Sequence, residues 1–190
     1  YRRHLLEGRE FSQLSGGVVG LGRIGLRVAH IVAAFGCTIR GYDTNVDSRN
    51  SAAASGINIS KSFKEILSVS DIVTFHIPLK DKNIGILNCE TISLMKRGSL
   101  LVNTSRGQII DESALLQALD SGKIQGAALD VISNEPSFDA DPPTTKIIDK
   151  VIDHPKIFFT PHMAASTIDA QREISNELGK KIAAKIKEQK

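Results

Sequence analysis

Gly17-Val18-Val19-Gly20-Leu21-Gly22-Arg23-Ile24-Gly25 is the stretch that decides the architecture. A short apolar run enters a G-x-G-x-x-G fingerprint. Beyond it Ile24, Val28, Ile31, Val32 and Phe35 recur at helical spacing until Gly36 stops the helix. Cys37 to Tyr42 then reads as a strand closed by Asp43. A lone G-x-G-x-x-G is weak evidence, but a strand, a fingerprint, a helix and a strand ending in an acid make a dinucleotide-binding βαβ unit. Gly20 permits the tight turn, Gly22 lets the backbone approach a pyrophosphate, and Gly25 lets the helix pack on the sheet. Backbone N–H groups at the helix start, around Arg23 and Ile24, then face the phosphates. Asp43, roughly 20 residues past the fingerprint, can accept hydrogen bonds from both ribose hydroxyls and repels a 2′-phosphate. NAD is therefore expected over NADP; the competing reading of Asp43 is a plain turn cap.

Working outward, strand-like and helix-like segments alternate to the end of the chain. Helical patterns cover Ala52–Ser55, Phe63–Leu67, Thr91–Lys96, Asp111–Leu119, Ile147–Ile152 and Ile168–Lys187. Strand patterns cover Ile57–Ser60, Asp71–Phe75, Leu100–Asn103, Gly126–Val131 and Ile157–Thr160. The acids of Asp111–Leu119 lie in its first turn, where the helix dipole favours them. Ser133–Pro143, rich in Pro and Asp, reads as loop. Alternation of this kind predicts an α/β fold, a doubly wound parallel sheet of Rossmann type with helices on both faces. The first strand, entered directly from Gly16, is about three residues short of an ordinary central strand. Residues are therefore expected to be missing between Gly16 and Gly17.

Composition narrows the function classes. The chain has 190 residues, 41% of them hydrophobic, which suits one domain with an ordinary core. Lys plus Arg number 24 against 21 for Asp plus Glu, and a scattered net charge of +3 argues against nucleic acid as a partner. No run of about 18 apolar residues exists to span a membrane, and Tyr1-Arg2-Arg3-His4 does not open a signal peptide. Cys37 and Cys89 form no C-x-x-C pair and read as free thiols of a cytoplasmic protein. No metal site is expected. The chain opens on Tyr1 and not on Met, so it is expected to continue a longer polypeptide.

Three later segments carry candidate chemistry: Asn103-Thr104-Ser105-Arg106-Gly107, Ala128-Leu129-Asp130-Val131 with Glu135-Pro136, and Thr160-Pro161-His162. Each follows the C-terminal end of a predicted strand, the edge where open α/β sheets bind ligands. Arginine grips a carboxylate in a two-pronged geometry that lysine cannot copy. Histidine can give or take the proton at a carbonyl oxygen. A carboxylate on the other ring nitrogen fixes the tautomer and favours the protonated ring. Singly, Arg106 reads as a surface ion-pair residue, Glu135 as a solvated acid and His162 as a loop residue. Together at one edge they suit carbonyl reduction by hydride.

On these residues the sequence resembles the D-isomer-specific 2-hydroxyacid dehydrogenases. The matching stretches are Val19–Gly25, His76-Ile77-Pro78-Leu79, Leu94–Gly98, Val102–Gly107, Gly126–Val131, Glu135-Pro136 and Thr160–His162, in the family's order along nearly the whole chain. The resemblance implies that Arg106 binds the substrate carboxylate and carbonyl, His162 is the acid/base and Glu135 its partner. It places Asp130 with the acid that holds the nicotinamide carboxamide, His76 and Pro78 in the adenine and ribose pocket, and Thr104 among the cofactor contacts. Ala165–Gln171 and Asp153–Lys156 resemble the branch acting on 3-phosphoglycerate in serine biosynthesis. Met163-Ala164, where the family carries a glycine-containing run of small residues, and Lys80, where a threonine is common, depart from the pattern.

The resemblance further implies an organisation: residues 1–15 from the interdomain region, 16–167 as the NAD-binding domain, and 168–190 as a helix leading back toward a substrate domain absent here. The implied partner is a small 2-hydroxy or 2-oxo acid, and the implied assembly is a homodimer through cofactor domains. By itself the chain is expected to bind cofactor and barely turn over substrate, because the opposite wall of the cleft is absent. Two rival readings stand: a glyoxylate or hydroxypyruvate reductase, and an NAD-sensing transcriptional corepressor of the same fold.

Overall fold

A computed structural model describes residues 8–133, 135 and 146–188. Pro136, the loop residues up to Pro143, and the Tyr1–His4 opening lie outside the described residues. Seven parallel strands form one sheet: β1 (Ser15–Val19), β2 (Thr38–Tyr42), β3 (Asn58–Ile59), β4 (Ile72–Phe75), β5 (Ser99–Asn103), β6 (Ile124–Leu129) and β7 (Ile157–Phe159). Their order is β3-β2-β1-β4-β5-β6-β7, so the order reverses between β1 and β4. The connecting helices are α1 (Arg23–Ala34), α2 (Val46–Ala54), α3 (Phe63–Val69), α4 (Cys89–Leu94), α5 (Glu112–Asp120) and α6 (Lys146–Ile152), and α7 (Ile168–Glu188) closes the chain. The doubly wound parallel sheet expected from the alternation is the observed one.

Gly16 and Gly17, between which missing residues are expected, both lie within β1. β1 begins at Ser15, and Gly16 and Gly17 pair with consecutive residues on both sides, Ile39 and Arg40 of β2 and Ile72 and Val73 of β4. The strand reaches ordinary length by drawing in Ser15 and Gly16, which sequence patterning assigned to the preceding loop because neither is apolar. Glycine suits Gly17, where a Cβ would stand 2.4 Å from Ser70 Oγ and 2.9 Å from Ile66 Cγ1, whereas one on Gly16 would meet chiefly the movable end of the Ile39 side chain.

Helices take their starts from polar caps. Asn45, Ser62, Asn88 and Asp111 each accept a backbone N–H of the first turn of α2, α3, α4 and α5. The larger core lies under α3 to α6, around Phe75, Leu67, Leu101, Leu115 and Ile124. A smaller one lies under α1 and α2, around Val18, Ala29 and Ile39. Past α1 no described helix covers the same face of β4 to β7. There Ile72, Leu100, Val102 and Phe158 line an open apolar hollow of about 650 Å³. No described helix is long and apolar enough to cross a membrane.

Candidate active site

The C-terminal ends of β1, β2 and β4 make the first half of the site. Gly20 leaves β1 with φ +96, and a Cβ there would stand 2.5 Å from the His76 carbonyl oxygen. That left-handed turn lets Gly20 N–H donate to the Tyr42 carbonyl at 2.8 Å, which ties the fingerprint to the end of β2. A Cβ on Gly25 would lie 1.8 Å from the Gly20 carbonyl oxygen, so only glycine lets α1 start this close to the strand. Gly22, the N-cap of α1, has nothing within 4 Å of its missing Cβ and offers its backbone to an approaching group. The side chains of Arg23 and Ile24 are exposed on the first turn, which leaves the amides at that turn free of bulk.

Asp43 follows β2 and holds the mouth of the pocket in shape. Oδ2 accepts Leu21 N–H at 2.7 Å and Oδ1 accepts Asn45 N–H at 2.8 Å. An ionised carboxylate has about four lone-pair sites, so acceptors remain on both oxygens for ribose hydroxyls. Asp43, Gly20, Gly22, His76, Pro78 and Lys80 are among the residues lining a hollow of about 270 Å³ beside the fingerprint. His76 Nε2 lies 3.0 Å from Thr74 Oγ1, and burial pushes its ring pKa below the ordinary value, so the neutral ring suits a dinucleotide pocket. The cradle of glycines, the helix start and the edge acid fit a dinucleotide: Gly22 leaves room for the pyrophosphate, and Asp43 carries the acceptors for a ribose.

The ends of β5, β6 and β7 make the second half. Glu135 and His162 meet, with Oε2 to Nδ1 at 2.6 Å. The other Glu135 oxygen, Oε1, accepts Ile132 N–H at 2.8 Å, so the carboxylate is aimed by its own loop. His162 is the one described non-glycine residue with a left-handed backbone, φ 53. Its N–H donates to the Asp130 and Thr160 carbonyls at 2.8 and 2.9 Å. Strain of this kind persists where the surroundings over-determine a conformation. Those surroundings are built by Asp130, which is buried at the end of β6.

Asp130 Oδ1 accepts the Thr160 hydroxyl at 2.5 Å and Met163 N–H at 2.8 Å, and Oδ2 accepts Ala164 N–H at 3.0 Å. Burial raises the Asp130 pKa, but these donors and the nearby His162 ring outweigh it, and the net direction is downward. Asp130 thus clamps the His162 loop from below. Arg106 and Thr104 are exposed at the end of β5, and the Arg106 guanidinium donates to the Ser105 carbonyl at 2.6 Å. The structure therefore joins Glu135, His162 and Asp130 directly and sets Arg106 on the next strand end. Sequence patterning missed Thr160 as part of the clamp; its position just before Pro161-His162 was its only signal.

Sheet order, fingerprint and edge acid define a Rossmann-type dinucleotide-binding domain. The model of the D-isomer specific 2-hydroxyacid dehydrogenase NAD-binding domain matches residues 1–164, and the chain belongs to that family. NAD is accordingly the cofactor of the domain. The chain is 42% identical over 166 residues to D-3-phosphoglycerate dehydrogenase of Bacillus subtilis, covering 87% of this chain and 30% of the relative. It is 37% identical over 182 residues to hydroxypyruvate reductase of Thermotoga maritima, covering 96% and 56%. The crystal structure of D-lactate dehydrogenase from Aquifex aeolicus, complexed with NAD and lactic acid, superposes with a TM-score of 0.85 at 33% identity, covering 96% and 56%. The chain thus spans from under a third to just over half the length of these relatives.

Proposed function

We propose that residues 16–167 are the cofactor half of an NAD-dependent dehydrogenase acting on D-2-hydroxy acids. The single observation that carries the reading is the 2.6 Å Glu135–His162 contact at the sheet edge that also holds the fingerprint. The dinucleotide, held by the glycine cradle and Asp43, would supply as NADH the hydride for the carbonyl carbon of a 2-oxo acid. The protonated His162 ring gives its Nε2 proton to the carbonyl oxygen, and in the oxidation direction takes it back. Glu135 holds Nδ1 and so leaves Nε2 to face the substrate. Arg106 turns from the Ser105 carbonyl to grip the substrate carboxylate in a two-pronged contact. Asp130 keeps His162 in place through the 160–164 loop and, with Thr104, would hold the nicotinamide end of the dinucleotide.

The substrate we propose is 3-phosphoglycerate, in serine biosynthesis, supported by the Bacillus subtilis relative and by the Ala165–Gln171 segment. Reduction of hydroxypyruvate is the second reading, supported by the Thermotoga maritima relative, which matches more of this chain. Residues 168–190 are read as the helix leading to a substrate domain, the assembly as a homodimer and the location as cytoplasmic. Initial rates of NADH oxidation by the protein carrying this domain, with 3-phosphohydroxypyruvate and with hydroxypyruvate, decide the substrate. A preference of tenfold or more for the phosphorylated acid supports the first reading; the reverse preference replaces it with the second. Light scattering that finds only monomer would remove the dimer.

A further inference from the structure

Glu112 stands in an unusual place for an acid. It is the first residue of α5, yet it is only 9% exposed. The N-cap function is already supplied by Asp111, whose Oδ1 accepts Ala114 N–H at 3.1 Å. An acid needed only for the helix dipole would lie in solvent, where it is cheapest to keep charged. Glu112 turns inward, and its Oε1 accepts Ser133 N–H at 2.6 Å. Burial, the leading cause, and the Asp111 charge push its pKa above the ordinary value, and the Ser133 contacts only partly offset them. A position that carries such a penalty without a capping role calls for another explanation.

The Ile132–Ser133 peptide supplies it. Two successive N–H groups of this segment go to two different carboxylates: Ile132 N–H to Glu135 at 2.8 Å, and Ser133 N–H to Glu112 at 2.6 Å. The same peptide is pressed by the loop that carries Arg106. A Cβ on Gly107 would lie 1.9 Å from the Ile132 carbonyl carbon and 2.4 Å from Ser133 N. The Ile132–Ser133 peptide, on which Gly107 packs and which Glu112 holds, thus adjoins the Ile132 N–H that aims Glu135. Glu112 is the side chain that fixes it from below.

We propose that Glu112 is a positioning residue. Through Ser133 it holds Ile132 and Ser133 so that one Glu135 oxygen stays on Ile132 N–H and the other stays on His162 Nδ1. The inference rests on the catalytic reading of Glu135 and His162 given above, and extends it to a residue that touches neither substrate nor cofactor.

The test uses ring-nitrogen NMR shifts of histidine-labelled chain, recorded above the pH at which the rings titrate. These shifts report which nitrogen of His162 carries the proton. In the wild type, Glu135 selects the Nδ1–H tautomer, and Glu135→Ala identifies the signal by removing that selection. Glu112→Gln keeps a carbonyl acceptor for Ser133 N–H and should leave the tautomer unchanged. Glu112→Met fills the same space without an acceptor and should move His162 toward the Nε2–H form that free imidazoles favour. NAD affinity should stay within twofold, and kcat in the protein carrying the domain should fall at least about tenfold, inside the 10²–10⁴ that acid–base help contributes.

If Glu112→Met does not fold by circular dichroism, Glu112→Leu removes the acceptor with a different apolar shape, and the same tautomer shift is expected. An unchanged Nδ1–H tautomer in the folded acceptor-less variant overturns the role of Glu112 and leaves the Glu135–His162 pair standing. A wild type already lacking the Nδ1–H tautomer overturns the pair itself, and the proposal with it.

Discussion

The two halves of the sheet's C-terminal edge are built on different principles. The cofactor half is made of main chain. Gly20, Gly22 and Gly25 bring backbone groups together, and Asp43 closes them with two hydrogen bonds to backbone N–H groups. The half proposed as catalytic is made of side chains reaching across the sequence. Glu135 meets His162 from 27 residues away, and Asp130 reaches 33 and 34 residues ahead to the Met163 and Ala164 amides. A backbone cradle is rigid once the strand and helix form, because it has few rotatable groups to order. A side-chain constellation depends on every loop that carries a member, which is why its buried carboxylates are invested in holding loops.

If the halves are separable in this way, variants should split dinucleotide affinity from turnover. The largest effect is expected for His162→Ala in the protein carrying the domain: kcat falls about 10²–10⁴-fold, while NADH affinity by fluorescence changes less than twofold. An equal loss of both would join the halves. Next come two glycine variants that meet backbone at nearly the same distance. Gly25→Ala puts a methyl group 1.8 Å from the Gly20 carbonyl oxygen, and Gly107→Ala puts one 1.9 Å from the Ile132 carbonyl carbon. Overpacking of this kind destabilises by about 1–3 kcal/mol in denaturant titration. Gly25→Ala should weaken NAD at least about tenfold, equivalent to about 1.4 kcal/mol. Gly107→Ala should leave NAD affinity intact and reduce turnover.

The smallest effect concerns the far end of the sheet and acid pH. Asp71 accepts Ser15 N–H at 2.9 Å and the Ser15 hydroxyl at 2.6 Å, and pairs with Arg9 and Lys96. Burial raises its pKa, but those donors and cations dominate and hold it well below the usual carboxylate range. Asp130 shifts in the same direction. A depressed native pKa contributes stability above the ordinary Asp value, about 3.9, and loses it as pH falls through the native value. Stability should therefore drop below about pH 4. Asp71→Asn should flatten that drop without touching NAD affinity or turnover at neutral pH. An unchanged acid limb in Asp71→Asn would assign it elsewhere.

The comparison also explains what could be read from sequence. The cofactor half is written locally: strand, fingerprint, helix and edge acid are consecutive, and the periodicity of Ile24 to Phe35 sets the helix within a residue or two of Arg23–Ala34. The doubly wound sheet follows from the same alternation. Glu135 and His162 were legible as residue types at strand ends, and their meeting is a tertiary fact. Glu112 was hidden, because an acid in the first turn of a helix reads as a dipole partner until the helix is seen to bury it. The early start of β1 was hidden for a different reason: Ser15 and Gly16 carry no apolar signal, and only pairing with β2 and β4 makes them strand. Tertiary context overrides local propensity where side chains are smallest.

Calorimetry on the 190-residue chain tests the division most directly, with NAD and NADP titrated into wild type, Gly25→Ala and His162→Ala. Wild type should bind NAD in the micromolar range, about −8 kcal/mol. NADP should bind at least about tenfold more weakly, because Asp43 faces its 2′-phosphate. His162→Ala should match the wild type, and Gly25→Ala should lose most of its NAD affinity. Equal affinities for NAD and NADP, or a His162→Ala chain as impaired as Gly25→Ala, would contradict the division of the edge into a backbone cradle for the dinucleotide and a side-chain cluster for the proton.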